Sequence, residues 1–320
     1  MAPPPGPGGP GVLVTVGDLV EDIVVWPQTP PRYATDNPAA VHRGRGGSAA
    51  NVAVFASALV PARFIGCVGD DAAAGRLTAE LAGHGVDVRV QRRGRTGTIV
   101  VLVDAGGERT MYPDRAAAAE LTDVPPGWLE SAALLHAPSY CFAAEPAAGA
   151  VTRLIGEARR AGVPVSVDAS STGMIEDYGV ARYQRLLASL RPDVFFANAG
   201  EAQLLGVTGP LFAGTLTVVK DGARSATVTP PGGPPCTVPV PPAPPARDST
   251  GAGDAFAAGF LAAWLRGAAP GEAAAAGHRL ARSVLASPGA AAAPAPSDRT
   301  ASDRTASDRA AGDGAAAGSL

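Results

Sequence analysis

An α/β sandwich with a mostly parallel central sheet is the fold this sequence predicts, and three observations predict it. Short apolar strands alternate with segments of helical period along most of the chain, the pattern of βα units whose helices cover both faces of a sheet. The 320 residues are 46% hydrophobic, enough to bury one large core. Proline- and glycine-rich or repetitive stretches lie at the two ends, which leaves one folded unit between them.

Residues 1–11 are rich in Pro and Gly, without a charged n-region or an apolar h-region, and are expected to be disordered. Val12 to Val16 is a short apolar, β-branched strand. A helical pattern follows from Asn51 to Leu59, then a strand from Arg63 to Val68 and a helix from Ala72 to His84 that ends at Gly85. Further along come strand Ala133 to Ala137, helix Pro146 to Ala161, strand Pro164 to Asp168 and helix Val180 to Leu190. Strands Val194 to Ala197 and Leu216 to Lys220 precede a last helical pattern carried by Ala255, Phe256, Gly259, Phe260, Ala263 and Trp264.

Two segments break the alternation. Residues 22–43 and 94–115 read as strands with polar turns, the second as a hairpin in which Thr98 to Val103 turns through Asp104-Ala105-Gly106-Gly107 into Glu108 to Met111. They form either a small separate sheet or an edge extension of the main one. Beyond about residue 290 the run Ser297-Asp298-Arg299-Thr300-Ala301 repeats as Ser302 to Ala306, a period that matches neither helix nor strand. Its mixed charge and small side chains leave nothing to bury, so residues 291–320 are expected to be a disordered tail outside a domain spanning 12–290.

The chemistry concentrates in Asp248-Ser249-Thr250-Gly251-Ala252-Gly253-Asp254. The small residues lead directly into the last helix, so the amides of Gly251, Ala252 and Gly253 lie at a helix N-terminus, where unpaired N–H groups and the positive dipole end attract a phosphate. Asp254 sits in that first turn, positioned to take a proton from a hydroxyl attacking the same phosphate. Taken alone, the same residues would also serve as a dipole-balancing carboxylate and a tight turn. A second motif adds weight: Gly46-Gly47-Ser48-Ala49-Ala50-Asn51 also places small residues before a helix. A Gly-Gly pair lets backbone approach a ligand closely, and the Asn51 amide can donate to and accept from a hydroxyl.

With both motifs in this order, the chain resembles the PfkB/ribokinase family of carbohydrate kinases, whose Gly-Gly-x-x-x-Asn segment matches Gly46 to Asn51 and whose Asp-[Thr/Ser]-x-Gly-Ala-Gly-Asp segment matches Asp248 to Asp254. The resemblance runs from about Val12 to Ala290. It implies a ribokinase-like three-layer sandwich in which the two irregular segments form a β-sheet lid over the acceptor. Closing such a lid excludes water and strengthens the electrostatics beneath it.

The resemblance also implies site residues. Asp22, soon after the strand end at Gly17, stands where the ribokinase branch carries a carboxylate that grips sugar hydroxyls, and Asp18 is the second candidate; a carboxylate suits the task because its two oxygens accept from neighbouring hydroxyls. Asn198-Ala199-Gly200-Glu201 is similar to the family's Asn-x-x-Glu motif, which helps position magnesium and phosphate, Glu201 acting through water; the same residues make a capping box. Lys220, the only lysine, ends a strand that the resemblance puts beside the nucleotide, where it would meet a phosphate as a point charge or face solvent. Gly222 would contribute through its backbone. The carbonyls near Asp248 and Ser249 could hold a monovalent cation such as K⁺.

Other chemistries find no support. A net charge of −3 offers no basic face for nucleic acid. Cys67, Cys141 and Cys236 lack zinc or disulfide spacing, His42, His84, His136 and His278 lack ligand spacing, and no apolar run is long enough for a bilayer. There is no P-loop, no GxGxxG after the first strand and no protein-kinase signature. The expectation is therefore a cytoplasmic, ATP- and Mg²⁺-dependent kinase acting on a hydroxyl of a small sugar or sugar-like molecule, with a homodimer through the lid compatible with it. His136 to Tyr140 lacks the glutamate that ribokinase offers ribose, and Asp168-Ala169-Ser170-Ser171 lacks the Asp-x-Asn-x-Arg pattern of 2-keto-3-deoxygluconate kinases. A nucleoside kinase is thus the second reading. A catalytically silent sugar-binding or regulatory homologue is the third, against which the intact Gly251 to Asp254 speaks.

Overall fold

The computed structural model describes residues 11–104, 108–241 and 251–285. The candidate cation residues Asp248 and Ser249, and nearly all of the two expected disordered ends, lie outside the described residues. In chain order the strands are β1 (Val12–Val16), β2 (Val20–Pro27), β3 (Ala39–Gly46), β4 (Ala62–Val68), β5 (Asp87–Arg92), β6 (Thr98–Val103), β7 (Arg109–Asp114), β8 (Ala132–Pro138), β9 (Val165–Asp168), β10 (Val194–Asn198), β11 (Leu216–Asp221), β12 (Ser225–Thr229) and β13 (Cys236–Pro239). The helices are α1 (Ser48–Ser57), α2 (Ala72–Gly83), α3 (Ala147–Arg160), α4 (Thr172–Tyr178), α5 (Val180–Leu190), α6 (Ala199–Leu205), α7 (Ala252–Leu265) and α8 (Pro270–Leu285).

Nine strands form one sheet in the order β13-β12-β11-β10-β9-β8-β1-β4-β5. It is parallel from β11 to β5, with β12 and β13 added antiparallel at one edge. Helices cover both faces, and the strands divide their side chains accordingly. On β10, Phe195 and Ala197 join the core beneath α3, α5 and α6, whereas Val194 and Phe196 join the core beneath α1, α7 and α8. A strand buried on both faces must be apolar at successive positions, which is why VFFA at 194–197 reads so clearly. A third cluster packs α1 and α2 around Phe64 and Val68 of β4.

The irregular segments form a separate sheet in the order β3-β2-β6-β7 rather than extending the main one. It is mixed: β2 pairs antiparallel with β3 and parallel with β6, and β6 pairs antiparallel with β7. The β7 strand continues past Met111 to Asp114, and Pro113 is accommodated there because β7 is an edge.

Sequence reading passed over β5, whose DVRVQR has no apolar run, the short SATVT of β12, and β13 in a proline-rich stretch. Nor did it single out α4, α6 or α8 as helices. One boundary differs with a clear cause. The first helix starts at Ser48 rather than Asn51, because Gly47 at φ 100° supplies the cap from which the chain turns into helix.

A β-carbon at Gly47 would also overlap the Asp18 carbonyl. Gly47→Ala is therefore expected to cost ~1–3 kcal/mol from backbone strain alone, lowering the thermal midpoint by ~2–12 °C, and more from the overlap. Gly85→Ala is the control, since Gly85 has φ 79° but open space around it. An equal loss in the two melting curves would show that contact with Asp18 contributes nothing.

Candidate active site

The parallel strands deliver Asp168, Asn198 and Lys220 to one edge of the sheet, because β9, β10 and β11 all end there. Phe196 pairs in register with Asp168, and Asn198 with Lys220. Polar groups converge at such carboxyl ends in open α/β sheets. The α7 N-terminus meets the same edge: a β-carbon at Gly253 would lie 3.5 Å from the Lys220 Nζ. Gly251 caps α7 in the left-handed conformation, φ 75°, and the first amides of the helix have no intrahelical acceptor.

Asp254, in that first turn, is fixed from α1. Ser48 Oγ donates to its Oδ1 at 2.6 Å, and Asn51 Nδ2 donates to its Oδ2 at 2.9 Å. The Asn51 Oδ1 accepts in turn from Arg45, whose Nε lies 3.1 Å from Glu80 and whose side chain is 2% exposed. Burial pushes the Asp254 carboxyl up to about 6 against the two hydrogen bonds, while Asp168 adds to the rise and Lys220 opposes it. Asn51, expected on the acceptor's hydroxyls, has its amide between Asp254 and Arg45, where it holds the carboxylate. Ser48 and Arg45 were not anticipated. The signal for Ser48 was a hydroxyl on the first residue of a glycine-capped helix; for Arg45 there was none beyond its neighbour Gly46.

The lid contributes Asp22 from β2. Its Oδ1 is buried and has no hydrogen-bond partner. Burial raises this carboxyl to about 6; Arg45 pulls it down, Asp254 pushes it up and Arg109 of β7 pulls it down. Gly46 makes this placement workable, since a β-carbon there would collide with the Asp22 carboxylate. Asp18 differs. Arg115 Nε and Nη2 bind its two oxygens at 2.8 and 2.6 Å, with both side chains largely buried, so that carboxylate is already engaged within the chain. Tyr140 also borders the site: burial, and then Asp254, raise its hydroxyl to about 12.

On the other side, Asn198 and Glu201 form the complete capping box of α6. Glu201 is 1% exposed, and its two oxygens accept from the Asn198 backbone and side-chain amides at 2.7 Å each. Burial, reinforced by Asp168, holds its carboxyl above the usual range. Lys220 Nζ lies 2.7 Å from Asp168 Oδ2. Burial alone would lower its ammonium, but Asp168 and Glu201 more than offset this. Asp168 escaped sequence reading as a site residue because its partner is on another strand. Gly222, at φ 55°, turns the chain between β11 and β12 with open space around it, and no described contact joins it to the other candidates.

Among the described residues no three acidic, His or Cys side chains converge as a metal cage. No described helix is long and apolar enough to cross a membrane.

Comparisons with known proteins place the chain in a family. The family model described as "pfkB family carbohydrate kinase" matches residues 13–298. An ATP-dependent ribose-1-phosphate kinase of Halopiger xanaduensis is 35% identical over 235 residues, covering 69% of this chain and 73% of that protein. A fructokinase of Klebsiella pneumoniae is 30% identical over 273 residues, covering 79% and 84%. Among solved structures, adenosine kinase from Sinorhizobium meliloti superposes with a TM-score of 0.77 at 23% identity, covering 88% of this chain and 95% of that one; this likeness concerns the fold, which is ribokinase-like. The chain belongs to the pfkB family of carbohydrate kinases and is a phosphotransferase of the sugar and nucleoside kinase type.

Proposed function

We propose that this protein transfers the γ-phosphate of ATP to a hydroxyl of a small sugar or sugar phosphate, with Asp254 as general base. The observation that carries this reading is the pinning of Asp254 by Ser48 and Asn51 at the amide end of α7. Asp22 binds acceptor hydroxyls through its unpartnered oxygen, and the backbone at Gly46 and Gly47 lets the acceptor lie close. The acceptor's reacting oxygen passes its proton to Asp254 as it attacks the γ-phosphorus, the bond from that phosphorus to the β,γ-bridging oxygen breaks and ADP leaves with the electron pair, and the amides of Gly251, Ala252, Gly253 and Asp254 hold the charge that develops on the equatorial oxygens. Lys220 meets the phosphates as a point charge, Asn198 and Gly222 border the nucleotide, and Glu201 would contact Mg²⁺ through water. Bound Mg²⁺ would neutralise phosphate charge. Of the two carboxylates beneath the lid, Asp18 is the lesser acceptor contact, since Arg115 holds it.

Arg45 and Arg109 act electrostatically on Asp22. Ribose 1-phosphate, named for the 35% identical relative, is the first compound to try. A panel of ribose 1-phosphate, fructose, ribose and nucleosides, assayed for ADP release with Mg-ATP, tests the assignment; nucleoside turnover alone would select the second reading, and no turnover at all would favour a silent homologue. We extend the proposal to a cytoplasmic location, to K⁺ near Asp248 and Ser249, tested by replacing K⁺ in the assay, and to a homodimer through the lid. Val41, Met111 and Tyr112 are large exposed hydrophobic residues of that sheet.

Asp254→Asn is expected to reduce kcat by ~10²-fold or more and leave nucleotide affinity within a few-fold; retention of most of the wild-type kcat would remove the base from the mechanism. With two interacting carboxylates raised to about 6, kcat/KM should fall below pH 6 more steeply than one proton allows. Asp22→Asn should return that slope to a single proton. It should also raise KM for the acceptor by roughly ten- to a hundred-fold with little change for ATP. Because the folded-state pKa of Asp22 is raised, the stability linked to this group is fully present below its unfolded value and is lost as pH rises through about 6. The Asn variant should therefore melt higher than wild type at pH 7.5 and not at pH 4. Static light scattering should give twice the monomer mass, and Tyr112→Arg should halve it; a wild-type monomer would refute the dimer.

A further inference from the structure

Asp168 has no place in the chemistry so far, yet it holds the one lysine of the chain. Its Oδ2 is 2.7 Å from Lys220 Nζ, with the two side chains 9% and 17% exposed. Its other oxygen accepts from the Ser170 amide at 3.0 Å, and its carbonyl accepts from Ser139 Oγ at 2.7 Å and from Ser170 Oγ at 3.0 Å. Ser170 itself sits at φ 70°, and its Oγ also accepts from the Ser139 amide at 2.9 Å. Asp168 is therefore a fixed post, tied to the chain on both sides of its carboxylate. Lys220 is the opposite, a compact charge on a flexible four-carbon stem.

The position of that charge is what matters. The ammonium lies 3.5 Å from where a β-carbon of Gly253 would be, at the lip of the amide cradle of α7. Asp168 touches it, and Glu201 and Asp254 act on it electrostatically from farther off, so one cation answers three acidic groups close to where a phosphate would arrive. A phosphate entering the cradle meets repulsion from those carboxylates and one mobile counter-charge within reach. The surroundings favour the lysine crossing over: the phosphate is multiply charged, and the helix amides are already aimed at it.

We infer that Asp168 is a positioning residue that parks the Lys220 ammonium beside the α7 cradle and yields it to an incoming nucleotide phosphate. The inference rests on the nucleotide site proposed above. Asp168 competes with the phosphate for the same cation. It keeps the lysine ordered and charged while the site is empty, and it lowers affinity for nucleotide that arrives without a metal ion to offset the acidic cluster.

A single lysine makes the test direct, since ¹⁵N-ε-lysine labelling of the full chain yields one side-chain ammonium resonance. Titration of the wild type with ADP, with and without Mg²⁺, should shift it. In Asp168→Asn the resonance of the nucleotide-free protein should already differ from wild type, while the ADP-bound resonances of the two should coincide. By calorimetry, Mg-free ADP should bind Asp168→Asn about tenfold more tightly than wild type, within the usual range of coupling between sites, and Lys220→Met more weakly than wild type. A wild-type resonance that ADP leaves in place would overturn the inference, whatever the variants do. So would an Asp168→Asn variant whose Mg-free ADP affinity equals that of wild type. A shifted resonance together with failure of every acceptor would reject the phosphotransfer reading and leave this inference standing. Turnover with an unmoved resonance would do the reverse.

Discussion

The hydrogen bonds from Ser48 and Asn51 to Asp254 are the constraint on which the rest of the structure depends. They join the start of α1 to the start of α7 across separations of 206 and 203 residues. Such contacts exist only because both helices pack on one face of the main sheet, where Val52, Phe55 and Ala56 share a core with Ala255, Ala258 and Leu261. Packing thus sets the position of the proposed base to within a hydrogen bond. The carboxylate in turn resists this environment, since burial raises it to about 6. A group held ionised against its desolvation is a cost to the fold that makes sense as preparation for proton transfer at neutral pH.

The small sheet repeats the pattern with a different purpose. Asp22 is held on β2 by pairing with β3, within electrostatic reach of Asp254, and its close approach to β3 works because Gly46 has no side chain to collide with it. Its carboxylate keeps one oxygen without a partner, whereas Asp18, on the loop just before, is neutralised by Arg115. Two acids near each other in sequence are given different work by a single arginine. An unsatisfied buried oxygen is a destabilising feature unless something fills it, and in the proposed function an acceptor hydroxyl does so.

Much of the fold was legible because the central strands are buried on both faces and so read as apolar runs; β1, β4, β8, β9, β10 and β11 all show this. The edges were not. In β5 polar residues alternate with valines, and β13 lies among prolines, so neither carries the local signal of a strand. The glycine motifs and Asp254 were legible for a similar reason, since a helix N-terminus and its anion cradle are built from consecutive residues. Ser48, Arg45, Arg115 and Asp168 act through partners distant in sequence, and no local pattern marks them. Asn51 was read from its motif as a candidate, but its place between Arg45 and Asp254 depends on three elements meeting.

The central claim is that the acceptor's reacting hydroxyl lies between Asp22 and the phosphate and gives its proton to Asp254. A crystal structure with the preferred acceptor, Mg²⁺ and a non-hydrolysable ATP analogue measures this directly. The account requires the reacting oxygen within ~2.6–3.2 Å of an Asp254 carboxylate oxygen, in line with the γ-phosphorus, and another acceptor hydroxyl on Asp22. An acceptor bound with that oxygen out of reach of Asp254, and with no water between them, would contradict it.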